Sequence, residues 1–391
     1  MGDFLIDYSE LLVRWLHVIA GIAWIGASFY FVWLDSRLEE PTPELEREGV
    51  RGHLWAVHGG GFYHSRKYVL APPVMPRHLH WFKWEAYWTW ISGFVLLCLV
   101  YYSDPETYLA RADISGGAGA VLISLGLLVG GWLVYELLCR SPLGLDDRRL
   151  MLVGLPLLAA YTYLSLELLS GRGAFVQVGA MLGTAMVANV LIVIIPGQRA
   201  MVDAITHGAE PDPGHAFRGK QRSVHNSYLT LPVVFLMISN HYAMTYSDER
   251  AWLVLMGMTL AGMAIRHFSI SRHRGTLRPA FLVAAAALIL ATGAYLSRDE
   301  WRDSDEPVAA TGAAPIDDAA ALAIVEQRCG SCHGGANASG GISLATPGDV
   351  RERAAQARDA VESGRMPLGN ATGMTDQERR DLVAWLSGAG G

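Results

Sequence analysis

Residues 11–34 read LLVRWLHVIAGIAWIGASFYFVWL, a long and mostly apolar run that decides what kind of protein this is. About 20 apolar residues carry a helix across the hydrocarbon core of a bilayer. The run exceeds that length, is too long for the apolar region of a signal peptide, and lacks a convincing small-residue cleavage site after it. It is expected to stay in the membrane as a first span.

Composition extends this reading to most of the chain. Its 391 residues are 51% hydrophobic and only 17% charged, with a mean hydropathy of +0.24, values high for a soluble enzyme and ordinary for a multi-span membrane protein. Further apolar runs at approximately 81–103, 117–138, 150–169, 175–196, 229–246, 251–270 and 279–297 bring the expected spans to about eight. The net charge is −6 and no Lys/Arg block occurs, so the footprint of a nucleic-acid binder is missing and that class is excluded. Four cysteines are too few for a disulfide framework; Cys98 and Cys139 stand singly beside apolar runs and read as small buried thiols.

Lys and Arg favour cytoplasmic loops. Sixteen of them lie in loops after odd-numbered spans, among them Arg37, Arg66, Lys67, Arg77, Arg222 and Arg274, against five in the loops on the other side. The N-terminus and everything after the last span are therefore expected outside the cytoplasm. Residues 298–315, RDEWRDSDEPVAATGAAP, turn from acidic to Ala/Pro/Gly-rich and read as a linker between a membrane domain, 1–297, and a small C-terminal domain, 316–391.

The C-terminal domain carries EQRCGSCHGG. Cys329 and Cys332 form thioethers to the vinyl groups of a haem and His333 becomes an iron ligand, a c-type haem signature. A structural zinc site would need a second Cys/His pair, and none follows. Covalent haem is attached on the periplasmic side in bacteria, in agreement with the charge bias. Met366, in ESGRMPLGN, is the expected sixth ligand, since a methionine opposite histidine suits an electron-transfer haem. Met374 is the competitor, but Thr375 and Glu378 beside it form a capping box, which makes Met374 a helix-start packing residue. The segment resembles small class I cytochromes c. The expected fold is all-α: a polytopic membrane bundle of about eight helices followed by a small class I cytochrome c domain.

Ionisable groups inside spans are costly and mark function. His17 shares a helical face with Gly21, Trp24 and Ser28, and the small residues of that face let a flat macrocycle approach. His241, near the outer end of the sixth run, is placed by hydropathy at a similar depth, roughly 8 to 9 Å below the surface at 1.5 Å per residue. Together they are candidate ligands of a non-covalent haem b; the alternative is that each bonds a neighbouring helix. Glu85, Glu136, Glu167 and Asn189 read equally as proton-path groups or interhelical hydrogen-bond partners.

The loop before the second span contains GHLWAVHGGGFYHSRKYVLAPPVMPRHLHWFKWEAYWTW, residues 52–90. It gathers His58, His64, His78 and His80 as candidate bases, with Arg66, Lys67, Lys83, Trp81 and Trp84 as candidate anion- and ring-binding groups. Glycines 59–61 would let backbone amides approach a ligand, though no strand and G-K-[ST] make them a phosphate loop. The bland reading of the cluster is inner-leaflet anchoring by Trp, Lys and Arg.

The combination of RWLHVIAGIAWIGASFYFVWLDSRLEEP, GGGFYHSRKY, LHWFKWEAYWTWISGF and a C-terminal C-x-x-C-H domain resembles the membrane-bound urate hydroxylase (urate oxidase) family over essentially the whole chain. The resemblance implies an enzyme of the bacterial inner membrane that oxidises urate to 5-hydroxyisourate and passes the electrons through its periplasmic haem c toward the respiratory chain, to a terminal oxidase or a soluble cytochrome c. A cationic and aromatic cytoplasmic loop is a plausible receptor for this planar anion. The rival class is a non-catalytic or quinol-oxidising electron-transfer subunit whose membrane domain binds haem b and quinone.

Overall fold

A computed structural model of the chain describes residues 2–68, 71–111, 114–248, 250–298, 316–334, 342–367 and 372–388. The architecture is helical: α1 (Gly2–Arg37), α2 (Pro43–Arg47), α3 (Trp84–Leu96), α4 (Pro105–Tyr108), α5 (Gly117–Arg140), α6 (Asp147–Leu168), α7 (Gly171–Ala188), α8 (Ile195–Thr206), α9 (Pro213–Ser239), α10 (Ala251–His273) and α11 (Pro279–Leu296). The small C-terminal domain adds α12 (Asp318–His333), α13 (Pro347–Glu352), α14 (Ala354–Glu362) and α15 (Asp376–Gly388). Beyond Arg298 the expected linker lies outside the described residues.

Six helices are long and apolar enough to cross a bilayer: Phe4–Arg37, Gly117–Arg140, Asp147–Leu168, Gly171–Thr206, Ala251–His273 and Pro279–Leu296. Two of the eight expected spans take a different shape. The run at 81–103 is α3 continued by a π-helical turn, Leu97–Tyr102, which breaks its hydrogen-bond ladder. The run at 229–246 is only the second half of α9, which starts 16 residues earlier at Pro213 and stops at Ser239; Ala243–Thr245 form a separate 3-10 turn. The span ended late in the hydropathy reading because Tyr242, Ala243 and Met244 are apolar yet lie in that turn.

Helix α7 is the central post. Twelve of its 18 residues are buried, Phe175 and Val178 completely, and α5, α6 and α9 pack around it. Close approach is built into α5 at Gly131, where a Cβ would lie 2.6 Å from Met181 Cγ and 2.9 Å from the Tyr161 ring. Membrane helices associate through such small-residue contacts because lipid tails offer no hydrophobic contrast. By comparison α1 and α11 are almost bare along their apolar windows, as expected of helices whose partner is lipid. Helix starts are fixed by side chains: Asp146 accepts the amides of Arg148 and Arg149, and Ser170 that of Gly173.

One β-hairpin interrupts the helical pattern. β1 (Val50–His58) pairs antiparallel with β2 (Gly61–Tyr68), Trp55 facing His64 and His58 facing Gly61. The two residues of the turn, Gly59 and Gly60, have φ of +57° and +80°, the left-handed pair that a tight hairpin turn needs. The glycine run read as a ligand-approach loop is thus a reversal of the chain.

The C-terminal domain folds around Ala321, Val325, Val350, Val361, Met374, Leu382, Trp385 and Leu386. Its first and last helices are tied by Trp385 Nε1 donating to Asp318 Oδ1 at 2.9 Å. Asp317 caps α12 by accepting the Ala320 amide at 2.7 Å, and Thr375 and Glu378 exchange the reciprocal bonds of a capping box at the start of α15.

Candidate functional site

The haem motif occupies the last turn of α12, which places Cys329, Cys332 and His333 on consecutive edges of one helix end. The Cys332 side chain lies outside the described residues. The His333 ring meets the Ile342 carbonyl through Nδ1 at 2.8 Å. That bond fixes the tautomer with the proton on Nδ1 and leaves Nε2 with a lone pair, the state an iron ligand requires. The donor set therefore fits a c-type haem.

The two methionines have different surroundings. Met366 is half-buried; its amide donates to the Ala360 carbonyl at 2.9 Å, and its own carbonyl accepts from Arg379 Nη1 at 2.9 Å, so its backbone is pinned while its side chain is left to other contacts. Met374 is only 3% exposed and packs into the domain core. Arg328 ties this half of the domain together, donating to Glu378 Oε1 at 2.9 Å and to the Thr372 carbonyl. Bonds from Arg328 and from the Thr375 amide hold the Glu378 carboxyl below its usual range.

The candidates of the 52–90 loop do not converge on one point. His58 is exposed at the hairpin end. His64 stacks on Trp55 with ring centroids 4.2 Å apart and meets His53 at 3.1 Å; lost solvent, with Arg66 and His53 beside it, holds its pKa below the usual value. Arg66 is paired with Glu48 at 2.7 Å and Lys67 with Asp35 at 2.6 Å. His80 packs edge-on against Phe82, and Lys83 lies over the Trp84 ring at 5.4 Å. His78 and Trp81 share a cavity: with Arg77 they line an open pocket of about 480 Å³ against Val202 and Thr206 of α8.

His17 and His241 have different surroundings. His17 Nδ1 lies 2.9 Å from the Thr89 carbonyl and 3.1 Å from Ser92 Oγ, and a Cβ at Gly93 would come within 2.9 Å of its ring. Gly93 is midway along the stretch from Trp84 to Tyr102, so His17 sits at the middle of the helix pair. His241 is exposed in the turn beyond the end of α9. His241 thus belongs to the connection after α9 and not to the span in which hydropathy placed it. The small face beside His17 is filled by α3.

The densest polar assembly of the membrane domain is one that sequence reading only touched. Arg222, counted above among loop cations, lies inside the bundle on α9 and forms an ion pair with Glu136 of α5 at 2.9 Å, the two side chains 5% and 12% exposed. It also donates to Asn189 Oδ1 at 2.9 Å and sits 5.2 Å from the Tyr135 ring centre. Asn189 in turn donates to Tyr135 Oη and to Asn226 Oδ1, both at 2.8 Å, and His225 Nδ1 lies 2.9 Å from Tyr135 Oη. Asn189 opens a second π-helical turn, Asn189–Ile194, between α7 and α8, and such turns recur at functional sites. A sequence signal existed: Gln221, Arg222, His225 and Asn226 recur at i, i+1, i+4 and i+5, one polar helix face in what reads as a basic loop.

Residues 317–386 match the family of the cytochrome c oxidase cbb3-type subunit III, and this cytochrome domain implies a haem c. Comparison with curated proteins and with solved structures gives no match. Residues 3–297 match the urate oxidase N-terminal family, which covers the whole membrane domain described above. The chain is accordingly a membrane-spanning redox protein with an attached cytochrome, and it belongs to the urate oxidase N-terminal family.

Proposed function

We propose that the protein oxidises urate to 5-hydroxyisourate and sends the electrons out through its cytochrome c domain. The observation that carries this reading is the union, in one chain, of a urate oxidase N-terminal membrane domain and a c-type cytochrome. The reaction balances as urate plus water giving 5-hydroxyisourate, two protons and two electrons. A haem c, when bound by Cys329, Cys332 and His333, takes one electron at a time, so the substrate is oxidised in two successive transfers or through a second carrier.

The chain's own residues must bind a planar anion, admit a water to C5 and accept protons. In this reading the cationic ends of the helices on the side of Arg37 and Arg274 favour uptake of an anion from the cytoplasm, and the cytochrome domain lies on the periplasmic side of the inner membrane, where it passes electrons to a terminal oxidase or a soluble cytochrome c. The test is an anaerobic optical spectrum of the oxidised protein before and after urate. Reduction of the c-type band by urate supports the reading. A spectrum that stays oxidised with urate but is reduced by a quinol replaces it with a quinol-oxidising relay.

A further inference from the structure

Near the C-terminal end of α10, the Arg-His pair 266–267 interrupts a mostly apolar helix. Arg266 is 3% exposed, so its guanidinium faces the bundle and does not reach lipid headgroups. Its Nε donates to Ser227 Oγ of α9 at 2.8 Å, and its Cζ lies 3.8 Å from the centre of the Phe29 ring of α1. Its Nη2 is buried without a hydrogen-bond partner, and no carboxylate pairs with it among the described residues. Arg222, one turn and a half earlier on α9 than Ser227, has Glu136; Arg266 has no counterpart.

An unpaired buried guanidinium inside a membrane bundle is among the most costly features a protein can carry. Its neighbours do not relieve it. His267 bonds Tyr228 Oη through Nδ1 at 2.7 Å but leaves Nε2 buried and unpartnered, and His273 leaves Nδ1 in the same condition. Exposed Arg37, Arg272, Arg274 and Arg278 crowd the same helix end and act electrostatically on these two histidines. Arg266 lies seven residues before His273, about 10 Å inside the helix end. Cations thus gather at this helix end, with one buried guanidinium beside an aromatic ring further in.

We propose that Arg266 is the anion-binding residue of the membrane domain, taking a planar organic monoanion whose charged edge meets the unpartnered Nη2 of the guanidinium held over Phe29. Ser227 positions the guanidinium by holding its Nε. Resting on the proposed function, the ligand is urate. The same chemistry would serve the propionate of a non-covalent haem, and the experiment separates the two.

The full-length, haem-loaded protein is purified as wild type and as Arg266→Gln, Arg266→Lys and Ser227→Ala. Initial rates of urate-driven haem c reduction give KM and kcat; a pyridine haemochrome assay gives covalent and non-covalent haem, and the thermal midpoint reports folding. Arg266→Gln is expected to raise the KM for urate roughly 30- to 100-fold, as loss of a charge-assisted bond in a buried site does. Covalent haem is expected to be unchanged. Arg266→Lys keeps the charge without the fork and falls between. Ser227→Ala raises KM about fivefold, and it carries the test if Arg266→Gln does not fold. Affinity for an uncharged purine competitor changes less than threefold. A KM within threefold of wild type in Arg266→Gln and Ser227→Ala overturns the assignment, as does loss of non-covalent haem with an unchanged KM, which would give Arg266 to a propionate. If urate fails to reduce the wild-type haem, the functional reading itself falls and this assignment with it; if wild type responds and the variants do not differ, only the assignment falls.

Discussion

Replacing Glu136 by Gln removes the carboxylate that faces the Arg222 guanidinium at 2.9 Å in a site where the two side chains are 5% and 12% exposed. Deleting one partner of a buried ion pair costs about 3–5 kcal/mol, because the remaining charge stays desolvated. Here Arg222 retains Asn189 Oδ1 at 2.9 Å and the Tyr135 ring at 5.2 Å, so the lower end applies, about 3 kcal/mol. The converse change, Arg222→Met, leaves Glu136 with Arg140, whose Nε is 2.6 Å from Oε1 and whose side chain is 66% exposed; its cost is about 1–2 kcal/mol. The double variant Glu136→Gln/Arg222→Met leaves no buried charge at this site and is expected within about 1 kcal/mol of wild type. The assay is thermal unfolding in detergent followed by helical circular dichroism. At roughly 2 °C per kcal/mol for a domain of this size, Glu136→Gln lowers Tm by about 6 °C and the double variant restores most of it. Additive losses, with the double variant as unstable as the two singles summed, would refute the view that these charges are held by one another.

Four further variants probe the cytochrome domain. Cys329→Ala is expected to abolish urate-dependent reduction of any downstream acceptor while the membrane domain still inserts, checked by acceptor assay and membrane fractionation; unchanged acceptor reduction would sink the electron route. Met366→Ala is expected to change the haem spectrum with little loss of folding. Met374→Ala, by contrast, opens a cavity in the domain core and costs about 2–5 kcal/mol, read from denaturant unfolding; the reverse pattern would exchange the two roles. Because the folded Glu378 carboxyl lies below its unfolded value, its contribution to stability is present above the ordinary glutamate pKa, about 4.3, and is lost as pH falls through the depressed one. Glu378→Gln is therefore expected to flatten the acid limb of the domain's stability curve, and an unchanged limb counts against the Arg328–Glu378 pair.

What the sequence made legible was whatever depends on local spacing. Cys329, Cys332 and His333 announce a haem in five letters, and the Thr375–Glu378 box stands where the i, i+3 spacing puts it. The apolar runs mark the helices because a bilayer demands a length. What stayed hidden depends on which helix faces which. Arg222 looks like a cytoplasmic cation until α9 is seen to begin at Pro213 and carry it against Glu136. Arg266 and His267 sit inside an apolar run that already reads as a span, and nothing local says that they face Phe29, Ser227 and Tyr228 and not lipid. The hairpin escaped for another reason. Trp55, Val57, Phe62 and Tyr63 are β-formers in a stretch where histidines and glycines drew attention to ligand chemistry, and they form a ribbon whose side chains remain largely exposed.

The continuous rod from Gly171 to Thr206 has a mechanical meaning as well as a topological one. Thirty-six residues of helix measure about 54 Å, against a hydrocarbon core of about 30 Å, so one end stands well clear of the lipid. That end presents Val202 and Thr206 to the pocket beside His78, and the shaft carries Asn189 against Arg222. One continuous helix thus joins the wall of the pocket to the buried charge, and the π-helical turn that Asn189 opens, where the hydrogen-bond register slips by one, lies along the way.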